Sequence, residues 1–119
     1  MKYSQPINSQ NFIAKDYSKN ILFNREDFGN DGHILQTVTI PPLTKQREHF
    51  HNIQTEVFYI LEGFCEIYIN GTKYDAKPGD AIICSPGDKH YLWNKSDNNF
   101  KLVVFKINIP SDDDTVWSE

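Results

Sequence analysis

The sequence predicts an all-β domain, a sandwich or closed barrel, and three observations lead there. Apolar residues recur in short runs at the two-residue period of strands, with almost no stretch at helical spacing. Turn signals part these runs at close intervals: Asn70-Gly71, Pro78-Gly79-Asp80 and Pro86-Gly87-Asp88. The length, 119 residues, suits one domain, large enough to bury about two-thirds of the surface its unfolded chain would expose.

Taken in order, residues 1–20 are Asn- and Ser-rich with scattered Phe12, Ile13 and Tyr17, and read as an N-terminal arm. Residues 21–24 and 34–40 are β-rich, and Pro41-Pro42 ends the second run before the polar link 44–48. Strands are then expected over 49–51, 56–61 and 64–69. Asn70-Gly71 is the strongest hairpin signal, because both central positions of a type I′ turn need positive φ, and residues 72–75 pair back. The two Pro-Gly-Asp turns bracket residues 81–84, with 90–93 following. Residues 95–99 form a polar loop before a long strand at 101–109. About nine strands joined by short turns give a barrel over residues 21–110. Residues 111–119 are a short acidic tail, too polar to extend the sheet, yet its Val116-Trp117 pair suggests an anchor on the barrel or on a partner subunit.

Composition excludes several classes. With 12 basic against 16 acidic residues the net charge is −4, the excess gathers at Asp112-Asp113-Asp114, and no basic face is offered to nucleic acid. The N-terminus lacks the apolar core of a signal peptide, and the strongest apolar run, 57–61, is far too short to span a bilayer, so a soluble cytoplasmic protein is expected. Cys65 and Cys84 each lie inside an expected strand and read as reduced packing residues.

The chemistry concentrates elsewhere. His49, Phe50 and His51 alternate, so the two imidazoles share a strand face, and a hairpin return would set Glu56 across from them as an anionic oxygen ligand. His90, inside the second Pro-Gly-Asp context, could close the set. A His-x-His pair alone is more often surface chemistry or packing than a metal site. His33, between Gly32 and Ile34, reads as an ordinary loop-to-strand residue.

The spacing resembles the cupin superfamily. Its first motif has His-x-His, a short gap, Glu, six residues and Gly, matched here by His49, His51, Glu56 and Gly63. Its second motif is matched by Gly79, Gly87, His90 and Asn94. Two departures occur: Leu43 stands where the family has Gly six positions before the first His, and the second-motif proline is one place late at Pro86, leaving Ser85. Both fall in turns. The resemblance implies a double-stranded β-helix, or jelly-roll barrel, and one divalent metal ion held by His49, His51, Glu56 and His90.

Three imidazoles and a carboxylate suit Fe, Mn, Ni, Co or Zn and leave room for a small-molecule substrate. The preferred reading is a mononuclear metal-dependent enzyme acting as a dioxygenase, isomerase or decarboxylase on a small oxygenated or carboxylated metabolite. The alternative is a binding or sensory cupin without turnover. No catalytic acid or base can be assigned, although Tyr59, Tyr68, Tyr74, Tyr91 and Glu62 are available. Arg47 reads as a solvated residue rather than a substrate clamp. Val57, Tyr59 and Leu61, with Tyr91 and Trp93, make apolar reverse faces that either the arm or a second subunit must cover. A homodimer is expected.

Overall fold

The computed structural model describes residues 1–6 and 9–118. Among the described residues, twelve strands form two antiparallel sheets packed face to face, a jelly-roll of the expected class. The first sheet runs β1 (Gln10–Ile13), β2 (Ser18–Phe23), β3 (Ile34–Ile40), β11 (Phe100–Ile107), β6 (Thr55–Glu62) and β9 (Ala81–Cys84). The second runs β12 (Thr115–Trp117), β5 (His49–His51), β10 (His90–Asn94), β7 (Cys65–Ile69) and β8 (Thr72–Ala76), with β4 (Thr44–Lys45) also paired to β10. A short 3-10 helix, Arg25–Asp27, is capped by Asn24. Among the described residues no helix is long and apolar enough to cross a membrane.

Alternation fills the space between the sheets. Val38 and Ile40 of β3, Phe58 and Ile60 of β6, and Phe100, Leu102 and Val104 of β11 meet Cys65, Ile67 and Leu92 from the other sheet. Burying such aliphatic and aromatic side chains, each worth roughly 1.5–3 kcal/mol, is what holds the sheets together. Cys65 and Cys84 are free, buried thiols, both pushed up to about 12, first of all by burial.

The turns follow the residues that demand them. Asn70 and Gly71 have φ of 51° and 83°, as a type I′ hairpin requires. The two Pro-Gly-Asp turns are built alike: the Asp80 carboxylate accepts from the Lys77 amide at 3.0 Å, and the Asp88 carboxylate from the Ser85 amide at 2.9 Å. Leu43 keeps a left-handed backbone, φ 54°, at the position where the resemblance led us to expect Gly. Turn shape is thus retained without the residue that favours it. Asn94, fully buried, donates to the carbonyls of Ile40, Pro41 and Asn98 and accepts from Ser96, locking two loops together.

Both chain ends join the sheets. β1 and the first half of β2 fall in residues 1–20 and lengthen the first sheet at its edge beside β3. The expectation that the acidic tail is too polar to extend a sheet is overturned, since β12 pairs with β5 in the register Thr115 to His51, Val116 to Phe50 and Trp117 to His49. Asp114 explains how a polar segment can do this. Its carboxylate accepts from the backbone amides of Ile53 and Gln54 at 2.7 and 3.0 Å and from the Gln54 side-chain amide, so the charge is spent on the loop between β5 and β6.

Candidate functional site

His49 and His51 project from the same face of β5, Glu56 is the second residue of β6 across the loop that Asp114 pins, and His90 opens β10 directly opposite His49. One ligand atom from each of these four residues falls within 4.8 Å of all the others, and His51, Glu56 and His90 are buried. The four residues singled out by the sequence are therefore brought together, and such a group could hold a metal ion.

Ring orientation is fixed from outside the cluster. His90 Nδ1 donates to the Asp88 carbonyl at 2.8 Å, and His49 Nδ1 to the Arg47 carbonyl at 3.3 Å. The Thr115 hydroxyl donates to Asp113 at 2.7 Å, so at 3.2 Å from His51 Nδ1 it is left to accept from that ring. All three imidazoles thus spend their Nδ1 protons on outer oxygens, and their Nε2 lone pairs remain for the interior. His51 Nε2 and His90 Nε2 lie 2.7 and 3.1 Å from the same oxygen of Glu56. Lone pairs facing a carboxylate at these distances need a shared cation, whether proton or metal, and the donor set of three nitrogens and one carboxylate fits a divalent transition ion.

The electrostatics agree. Burial pushes the Glu56 carboxyl up, yet its hydrogen bonds to His51 and His90 overcome this and hold it well below the usual carboxylate range. His90 is pulled down by burial, but Glu56 outweighs that and the net direction is up. His49 is lowered to about 4, first by burial and then by the charge of His90, so it stays neutral at ordinary pH.

The group opens into a cavity of about 320 Å³ between the sheets. Phe58, Leu92, Leu102 and Val104 give it an apolar wall; Tyr17, Lys19, Gln36 and Lys106 give it a polar one; Trp117 packs on His49 with ring centroids 5.0 Å apart. Arg47 is exposed, yet it lines the cavity, with its guanidinium 4.3 Å over the Trp117 ring, so its exposure does not by itself make it a bystander. None of Tyr59, Tyr68, Tyr74, Tyr91 or Glu62 lines this cavity. Its tyrosine is Tyr17, whose hydroxyl is pushed up by burial and then by Asp16. His33 lies away from the site, packed against Phe28 and Phe105.

Sequence reasoning missed Lys19, Gln36 and Lys106, along with the Asp113, Asp114 and Thr115 support. A signal for the inward ones was present in the period of two. Gln36 shares its face with Val38 and Ile40, and Lys106 with Leu102 and Val104, so each is a polar residue in an inward register.

Comparison with known proteins agrees with this architecture. A family model described as a cupin domain matches residues 36–106. The chain is 24% identical over 86 residues to an oxalate-binding protein of Thermotoga maritima, a match covering 72% of this chain and 71% of that one. It superposes with a TM-score of 0.81 on a predicted oxalate decarboxylase of Thermotoga maritima, at 19% identity over 90% of this chain and 99% of that one. The polyketide cyclase RemF of Streptomyces resistomycificus superposes with a TM-score of 0.75 at 22% identity, covering 96% of this chain and 89% of that one. At these identities the solved structures speak to the fold.

Proposed function

The chain belongs to the cupin domain family, and from that premise we propose that it is a mononuclear metal-dependent enzyme acting on a small oxygenated or carboxylated metabolite. One observation carries the reading: three imidazoles tied at Nδ1 turn their remaining nitrogens toward one buried carboxylate at the wall of a cavity. His49, His51, Glu56 and His90 would hold one divalent ion, of Fe, Mn, Ni, Co or Zn. Such an ion supplies Lewis-acid polarisation of a substrate oxygen and, if redox-active, one-electron chemistry.

The remaining work falls to the chain. Phe58, Leu102 and Val104 exclude water from one side of the cavity, while Tyr17, Lys19 and Lys106 offer titratable groups on the other. A cavity with both kinds of wall suits a substrate that reacts, and oxygenation, isomerisation and decarboxylation are the reaction types in view. That known proteins of this shape include one described as a predicted decarboxylase and one as a cyclase supports the enzyme reading. The second reading is a binding or sensory module without turnover. It is favoured by the absence of the five sequence-nominated acids and bases from the cavity, and by the relative named for binding oxalate.

A cytoplasmic homodimer belongs to the same proposal. Two buried free thiols suit a reducing compartment, and Tyr59, Leu61 and Ile83 leave an exposed apolar strip on the outer face of the first sheet.

The test is metal analysis followed by turnover. Protein purified without chelator is expected to carry about one divalent ion per chain, and His49→Ala or His90→Ala to lose most of it. Equal metal content in all three would end the reading. Incubation of the loaded protein with small hydroxy and keto acids, followed by NMR, then separates the classes: new product signals mark an enzyme, and line shifts without product mark a binding module.

A further inference from the structure

We propose that Lys19, Gln36 and Lys106 form an anion-binding wall inside the cavity, which selects a small ligand bearing a carboxylate or phosphate beside the atom that meets the three histidines and Glu56. This deepens the proposed function by naming what the ligand must carry, and rests on that reading for the role of the metal-facing end.

The wall is a product of register. Lys19 lies on β2 opposite Val38, Gln36 on β3 opposite Val104, and Lys106 on β11 opposite both Ile34 and Glu56. Gln36 is therefore two residues from the partner of each lysine, the diagonal relation across antiparallel strands, with backbone separations of roughly 7–8 Å that long side chains readily bridge. All three lie on the cavity-lining face, and Lys106 brings the wall up to Glu56.

Among the described residues, no side-chain hydrogen bond or ion pair satisfies any of the three. Gln36 is only 4% exposed, and among the described residues its side-chain amide has no hydrogen-bond partner. No carboxylate of the described residues lies within ion-pair distance of Lys19 or Lys106. The Lys19 ammonium lies 5.3 Å from the centre of the Phe12 ring. Of the other carboxylates around the cavity, Asp113 is exposed and already holds the Thr115 hydroxyl and amide, and Asp16 pairs with neither lysine. Two half-buried ammonium groups on one wall repel one another. Burial and then Lys106 accordingly lower the Lys19 pKa, while Glu56 only partly compensates. An anion between them would remove the repulsion and take the amide N–H of Gln36, which is the arrangement that buried charge requires. The volume, about 320 Å³, suits a small-molecule ligand.

Titration calorimetry on chelator-stripped protein tests the wall apart from the metal, with malonate, inorganic phosphate and neutral malonamide as probes. Wild type is expected to bind at least one of the anions in the millimolar range or better, more weakly at high ionic strength, and to ignore malonamide. Which anion binds identifies the head group as carboxylate or phosphate. Lys19→Met and Lys106→Met should each weaken binding about tenfold or more, with Gln36→Leu also weaker, while Lys19→Arg and Lys106→Arg retain it. Melting curves confirm that each variant is folded. Equal anion binding by wild type and the methionine variants, or no binding of either anion to wild type, would overturn the proposal. Lysine-dependent anion binding in a protein that takes up no metal would leave this wall standing and remove the enzyme reading; the reverse result would do the opposite.

Discussion

The Thr115 hydroxyl lies 3.2 Å from His51 Nδ1 and 2.7 Å from the Asp113 carboxylate, so the last strand of the chain decides which His51 nitrogen faces the cavity. Thr115→Val keeps the shape and removes the acceptor. Metal affinity is expected to fall about 10- to 100-fold, as it does when an outer partner of a ligating histidine is lost. Competition with a fluorescent chelator measures it, and an unchanged constant would mean that the hydroxyl plays no part in orienting the ring.

Acid should act on the metal-free protein through His49. Its folded pKa is about 4, against an ordinary value of 6.5, so between these values the unfolded chain binds the extra proton and the folded chain does not. Stability from this residue is present above pH 6.5 and is lost as pH falls toward 4, by roughly 3 kcal/mol. His90, whose pKa is raised, works in the opposite sense, with stability present at low pH and lost as pH rises through its folded value. Urea denaturation of wild type and His49→Gln at several pH values isolates the His49 part, because only wild type should show the additional acid loss.

Cutting the chain after Pro110 removes β12 and with it the three hydrogen bonds that Asp114 takes from residues 53 and 54. Leaving those amides unpaired should lower stability by about 2 kcal/mol or more, and should loosen the loop that sets Glu56. Trp117 is 52% exposed, so burial of its ring adds little. A truncated protein with an unchanged melting temperature would show that β12 is decoration.

Leu43 holds a left-handed backbone while the residue is 70% exposed, so it carries strain with little packing in return. Leu43→Gly should relieve roughly 1–2 kcal/mol of backbone strain and return part of it as unfolded-state entropy. A net gain on the order of 0.5 kcal/mol is expected, readable as a higher urea midpoint. Lower stability in the variant would mean that Leu43 makes contacts that outweigh its backbone.

Self-association is expected through the outer face of the first sheet, where Tyr59, Leu61 and Ile83 are exposed. On the second sheet, Tyr91 and Trp93 are only half-buried. Tyr91 stacks on Tyr68 with centroids 4.5 Å apart, and Lys45 and Lys95 lie over the Tyr91 and Trp93 rings. β1 and β2 do not cover the first sheet's patch, because they sit beside β3 at the far edge. Light scattering should give twice the monomer mass of 13.8 kDa, and Ile83→Glu should return the protein to monomer. A monomer mass for wild type at micromolar concentration rules the dimer out.

Much of this was legible in the chain itself. Period-two alternation and the Asn-Gly and Pro-Gly-Asp turns are local signals, and they marked nine of the strands to within a few residues. The meeting of His49, His51, Glu56 and His90 was legible too, through the spacing of two family motifs. What only the tertiary structure decided depends on pairing between residues far apart. Asp114 reads as solvated acid until the loop at 52–54 arrives to use its charge, and Thr115 is an ordinary tail residue until β12 pairs with β5. Lys19, Gln36 and Lys106 become one wall only because β2, β3 and β11 lie side by side in a particular register. Sequence periodicity gives the face on which a side chain lies, whereas its neighbour on the next strand is set by which strands pair, a choice made by the burial of the whole core.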